Sequence, residues 1–391
     1  LSFFMHKLPK GRLKYNFISP VTLLSVFVIL YTVVGFELFW KGVYAFLGND
    51  FSADINKLYD VISVFIVIFF ILFYFFLKLH KKRSLSYDYQ PKSFYVYSFS
   101  FLIACYAILS MNGFGIPILH NFIMLFYNAA IIVVSYAFVI RMRGSSLLIL
   151  LFTLLIAYMG FRYRLVFLFI PILFSLFIFY RMSFSKFSKY LIFTFLSVFS
   201  VALVGVTRKY SSGLQLEKLN GIDLGGVFIK GIFNDTSTVM TSGGLINWLD
   251  DTEKFAYFHQ INYVFNFFIP KGLYPEKIYS PIFSYISSIN GQEGNESGAA
   301  VLGFAEYYHT AGYYGVTLFA FIFSLWFSLQ FKKVIYSRSR YEHFVYFILM
   351  AWFLNSLTRG YFPQNVQDLI SIFIGLYLIK KFSKRTKIGV I

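Results

Sequence analysis

The sequence predicts an all-α polytopic integral membrane protein, with about ten transmembrane helices and one large loop on the outer face. Three observations carry this. Of the 391 residues, 58% are hydrophobic and 13% charged, against about 45–50% apolar and about 25% charged in a soluble domain. Apolar runs of roughly 17–25 residues, long enough to cross about 30 Å of hydrocarbon as a helix, recur along the chain. The basic residues gather in alternate connections between those runs, as the positive-inside rule requires.

The runs lie at 18–40, 58–78, 94–111, 117–140, 145–161, 164–180, 188–206, 312–331, 342–358 and 366–382. None alternates with the strand period of a barrel, and in lipid a backbone must satisfy its own hydrogen bonds, so each reads as a helix. The fourth and fifth are separated only by Arg141-Met142-Arg143-Gly144, which demands a tight helical hairpin. Pro171 stands inside the sixth and is expected to kink it. No internal repeat is evident, which weighs against an inverted-repeat transporter. The chain thus divides into 1–206 with seven helices, a loop over 207–311, and 312–391 with three helices and a tail.

The net charge of +18 would suggest nucleic acid in a soluble protein; here it reads as a topology signal, and no nucleic-acid partner is expected. An inner N-terminus places Lys7, Lys10, Arg12 and Lys14 in the cytoplasm. Lys78, Lys81, Lys82, Arg83, Lys92, Arg141, Arg143, Arg181, Lys186 and Lys189 then follow on the same side. So do Lys332, Lys333, Arg338, Arg340 and the tail cations from Lys380 to Lys387. An even number of spans returns the C-terminus to the cytoplasm. The first run has no small-residue cleavage site, so no cleavable signal is expected. Cys105 is the only cysteine, which excludes an intrachain disulfide and a multi-cysteine metal site.

Against this bias, Gly160-Phe161-Arg162-Tyr163-Arg164 puts two arginines in a minimal outer loop. Arg208 stands just beyond the seventh run and Arg359 just beyond the ninth. A single arginine at an interface can snorkel; four at outer helix ends read as an anion-binding site.

The 207–311 loop is rich in aromatic residues, and segments such as 261–268 read as short amphipathic helices on the membrane face or over the bundle. Its end runs Ser297-Gly298 through Glu306, His309 and Gly312-Tyr313-Tyr314-Gly315. As one helix this would place Glu306, His309 and Tyr313 on one face, a general base with an orienting partner. Asp250-Asp251 with Glu253 could hold a divalent metal but reads more readily as a solvated turn. Asp50, Asp54 and Asp60 are too dispersed for paired acids, and His120 and His259 stand alone. Asn234-Asp235-Thr236 and Asn295-Glu296-Ser297 fit a glycosylation sequon by chance as easily as by design. Without a P-loop or dinucleotide fingerprint, the energy for any reaction must reside in the substrate.

This plan resembles the bacterial O-antigen and capsule repeat-unit polymerases, the Wzy family. The residues that carry the likeness are Gly160-Phe161-Arg162-Tyr163-Arg164, the Ser/Gly-rich approach to Glu306 with Gly312-Tyr313-Tyr314-Gly315, and Arg359-Gly360. The arginine-x10-glycine pattern of some members does not start at Arg162, Arg164, Arg208 or Arg359. The resemblance implies a glycosyltransferase-C-like enzyme of the bacterial inner membrane, both termini cytoplasmic and the large loop periplasmic. Its partners would be an undecaprenyl-pyrophosphate-linked oligosaccharide, membrane lipid and a chain-length regulator protein. Arg162, Arg164, Arg208 and Arg359 would bind the pyrophosphate and stabilise its growing charge. His309 or Glu306 would take the proton of the acceptor hydroxyl, with inversion, no metal and no cofactor. An O-antigen ligase, transferring polymer to the lipid A core, is the alternative on a similar plan. A polysaccharide flippase is the alternative from another class.

Overall fold

The computed structural model describes residues 14–34, 55–79, 86–110, 117–159, 163–179, 238–257, 259–269 and 301–388, with isolated positions between 188 and 285. The chain is mostly helical, in keeping with an all-α protein. Its main helices are α1 (Pro20–Val28), α2 (Ile55–Leu79), α3 (Ser93–Leu109), α4 (Pro117–Val139), α5 (Ser145–Met159) and α6 (Tyr163–Phe179). They continue with α7 (Thr238–Thr252), α8 (His259–Phe268), α9 (Gly303–Tyr336), α10 (Arg340–Thr358) and α11 (Phe362–Lys381). Short strands β1 (Ser86–Pro91), β2 (Arg208–Lys209), β3 (Gly213–Leu214) and β4 (Ser383–Ile388), which the apolar pattern does not announce, pair as β1–β4 and β2–β3.

Helices therefore occupy nine of the ten apolar runs, and the seventh, 188–206, lies almost wholly outside the described residues. Among the described residues, α2 and α9 are long and apolar enough to cross a membrane. Helices α1, α3, α4, α5 and α6 are apolar over shorter stretches. Among the described residues, two helices against the expected ten thus meet the length and composition of a crossing.

The chain divides into two compact units. The first comprises 1–81, 235–332 and 353–366. Its core is aromatic. Phe65, Phe69 and Phe73 repeat every fourth residue on α2, are buried, and stack in series with centroids 5.9 Å apart. Phe353 stacks on Phe69 at 5.9 Å, and Tyr307 on Phe65 at 5.7 Å. The opposite face of α2 exposes Val67, Ile71 and Phe75.

Helix α9 is not one rod. Ala311 (φ −166°, ψ 42°) and Gly312 (φ 60°, ψ −142°) break it after Thr310. The positive φ needs glycine at 312, because a Cβ there would clash with its own backbone. Three residues on, a Cβ at Gly315 would stand 2.3 Å from the Tyr307 carbonyl oxygen, so the new helical stretch turns back closely over the old one. The break corrects the expectation of a single helical face: Glu306 and His309 remain i, i+3 neighbours, but Tyr313 falls beyond it.

The second unit comprises 82–234, 333–352 and 367–391. Helix α4 is its centre, packing on α3, α5 and α6 with nearly every described side chain buried. The α4–α5 connection is the tight hairpin that its length required, turning through Arg141 (φ 60°) and Gly144 (φ 74°). Pro171 lies within a continuous α6. Strands β1 and β4 are antiparallel, with Tyr87 opposite Lys387 and Tyr89 opposite Arg385. Asp88 of β1 caps α10, accepting the Tyr341 N–H at 3.0 Å.

Candidate functional site

The best-built polar cluster lies wholly in the first unit, where the last turn before the α9 break meets α8 and the α10–α11 turn. Glu306 and His309 are 1% and 0% exposed. Gln260, on the inner face of α8, bridges them. Its Nε2 donates to Glu306 Oε1 at 3.2 Å and to His309 Nδ1 at 3.2 Å, and lies 3.4 Å from Thr310 Oγ1. The Phe362 backbone N–H donates to the same Glu306 oxygen at 3.3 Å. Glu306 Oε2 and His309 Nε2 have no hydrogen-bond partner among the described residues.

Backbone bonds hold the elements in place. Ala256 N–H donates to the His309 carbonyl at 2.9 Å and Tyr257 N–H to that of Thr310 at 2.7 Å. These carbonyls are orphaned by the break, and the 253–257 connection satisfies them by bending through Glu253 (φ 53°) and Tyr257 (φ 44°). On the other side, Gly360 N–H donates to the Val301 carbonyl at 2.7 Å. A Cβ at Gly360 would meet Leu302 O at 2.7 Å, so the α10–α11 turn can approach Glu306 only with glycine there.

The α9 break leaves 313–336 as the stretch long enough to span, about 36 Å at 1.5 Å per residue, and the Glu306 turn precedes it. Burial raises the Glu306 pKa to about 8, partly offset by the bonds from Gln260 and Phe362. Burial lowers that of His309 to about 4. Their closest ionisable atoms, His309 Nδ1 and Glu306 Oε2, are 4.0 Å apart. We read this contact as two neutral groups rather than an ion pair, since both shifts favour the uncharged form. Because Nδ1 accepts from Gln260, the imidazole proton sits on Nε2.

No protein-family model, curated protein or solved structure matches the chain.

The arginines assigned to an anion fare differently. Arg359 is half-buried at the end of α10 in the first unit, its carbonyl accepting from Asn365 Nδ2 at 2.9 Å. Arg164, in the second unit, is buried in the first turn of α6 rather than displayed on a loop. Its guanidinium lies 5.0 Å from the Tyr127 ring centroid and 3.4 Å from Met124 Sδ. Arg208 is described only as a backbone position in β2, and Arg162 lies outside the described residues.

Among the described residues no cluster that could hold a metal forms around Asp250. Asp250 pairs with Lys57 and accepts from Tyr308 Oη at 2.7 Å, while Asp251 and Glu253 are exposed. Asp60 and His259 are exposed, and Asp50 and Asp54 lie outside the described residues, as do both sequons. The residue that the sequence pattern missed is Gln260. Its segment carries His259, Asn262 and Asn266 as well, so nothing in the spacing singled Gln260 out.

Proposed function

We propose that the chain is a polymerase of the bacterial inner membrane. It would join undecaprenyl-pyrophosphate-linked oligosaccharide repeat units at the periplasmic face, as a polytopic glycosyltransferase with cytoplasmic termini. One observation carries the reading: a buried Glu306–His309 pair, bridged by Gln260, leaves one oxygen and one nitrogen unpartnered among the described residues, just before the 313–336 stretch. The apolar residues on both faces of α2 support the membrane setting, because a half-exposed helix in water carries polar residues outward.

With His309 Nδ1 engaged by Gln260, Glu306 is the base. Once ionised, its Oε2 accepts the proton of the acceptor sugar hydroxyl, and His309 Nε2–H donates to that hydroxyl's oxygen and orients it. The oxygen attacks the donor's anomeric carbon from the face opposite the pyrophosphate, with inversion. The bond to the pyrophosphate breaks, and its electron pair passes to the departing oxygen. Arg359, in the same unit, is the cation assigned to that developing charge. A raised carboxyl pKa suits this work, since the ionised form is then a stronger base. Both groups are closed off from solvent.

The test is complementation of a deletion strain, read as a surface-polysaccharide gel. The native gene restores a ladder, whereas Glu306→Gln and His309→Ala leave core carrying a single repeat. A full ladder from both variants would sink the assignment. Deletion that removes every repeat from the core would point to a ligase or flippase instead.

A further inference from the structure

Helix α8 buries a glutamine and exposes apolar side chains. Gln260 is 4% exposed, whereas Ile261, Phe265 and Ile269 are 55%, 65% and 38% exposed. Spaced four residues apart, these three form one stripe that ends just past the last residue of α8, with exposed Asn262 beside it and Tyr263 and Val264 on the inner side half-buried. From 259 to 269 there is no Asp, Glu, Lys or Arg. A water-facing helix would reverse this arrangement.

The position of the helix says what covers the stripe. Tyr257 N–H bonds to the Thr310 carbonyl at 2.7 Å, and Gln260 Nε2 lies 3.4 Å from Thr310 Oγ1. Three residues after Thr310, exposed Tyr313 and Tyr314 open the 313–336 stretch. Tyrosines at the mouth of a span sit at headgroup level, so α8 starts at that level too. An uncharged helix with a continuous apolar stripe lies there with the stripe among the acyl chains.

We infer that α8 is a lid docked in the bilayer interface, its Ile261–Phe265–Ile269 stripe in lipid and its Gln260 closing over Glu306 and His309. Seating of this helix controls access to the pair. The inference rests on 313–336 crossing the membrane and gives the proposed site its gate. Lipid contact is measured without making polymer, so the polymerase reading can fail while the lid stands.

Because Cys105 is the only cysteine, a Cys105→Ala background accepts single labels. Ile261→Cys, Phe265→Cys and Ile269→Cys change exposed side chains and remove little packing; Asp251→Cys serves as the exposed control. Each is labelled with bimane and reconstituted in phosphatidylcholine vesicles, with or without brominated acyl chains. Expected at the three stripe positions is a roughly two-fold loss of emission in brominated lipid and little quenching by aqueous iodide, with the reverse at 251. Iodide quenching of these labels without lipid quenching would overturn the proposal, as a stripe in water. Protection from both quenchers would overturn it equally, as a stripe covered by protein or a second copy.

Discussion

Glu306 Oε2 stands 4.0 Å from His309 Nδ1, too far for a hydrogen bond, because Gln260 reaches between the two residues and engages both. A carboxyl and an imidazole one turn apart would otherwise pair directly. Burial keeps both neutral, and the bridge leaves each with an atom unpartnered among the described residues.

Removing the bridge tests this. Gln260→Ala takes a donor from two buried acceptors, at a cost of about 1–3 kcal/mol, and thermal unfolding in detergent should register the loss. Polymer yield from a lipid-linked repeat should fall at least ten-fold. Native yield and stability together would exclude Gln260 from the site.

The pH dependence of stability follows from the two shifts. Glu306, raised from 4.5 to about 8, stabilises fully below its unfolded value and loses that contribution as pH rises through about 8. His309, lowered from 6.5 to about 4, contributes fully above its unfolded value and loses this as pH falls through about 4. Between pH 6.5 and 8 only the Glu306 effect changes. The melting temperature should therefore fall across that window in the native protein and stay level in Glu306→Gln. An equal decline in both would mean that another group titrates.

At the α9 break, Gly315→Ala should be more damaging than Gly312→Ala. The first drives a Cβ to 2.3 Å from the Tyr307 carbonyl; the second meets nothing nearer than Phe255 Cε1 at 3.9 Å and strains only its own backbone. Strain of this second kind costs about 1–3 kcal/mol. Melting temperatures of the two variants give the order directly, and a reversed order would mean that the turn at 312 sets the geometry.

Phe69→Ala opens the middle of the α2 stack, between Phe65, Phe73 and Phe353. A buried phenylalanine cut to alanine costs about 3–5 kcal/mol. The melting temperature should drop more for Phe69→Ala than for Phe75→Ala, whose side chain is exposed.

The helices were legible in the sequence because an apolar run of membrane-crossing length has one way to satisfy its backbone, and that requirement is local. The α4–α5 hairpin was legible for the same reason: four residues between two long helices allow nothing but a turn. Glu306 and His309 were legible as neighbours, since i, i+3 spacing needs only one helical turn. What tertiary structure alone decided was the environment of that turn. The Gly312 break removed Tyr313 from the shared face, and burial made both groups neutral. Gln260 came from 46 residues away in sequence to separate them. Arg164, which the sequence set in a minimal outer loop, lies buried against Tyr127 and Met124. Whether a polar side chain is displayed or enclosed depends on which helices pack over it, and residue spacing along one segment does not encode that.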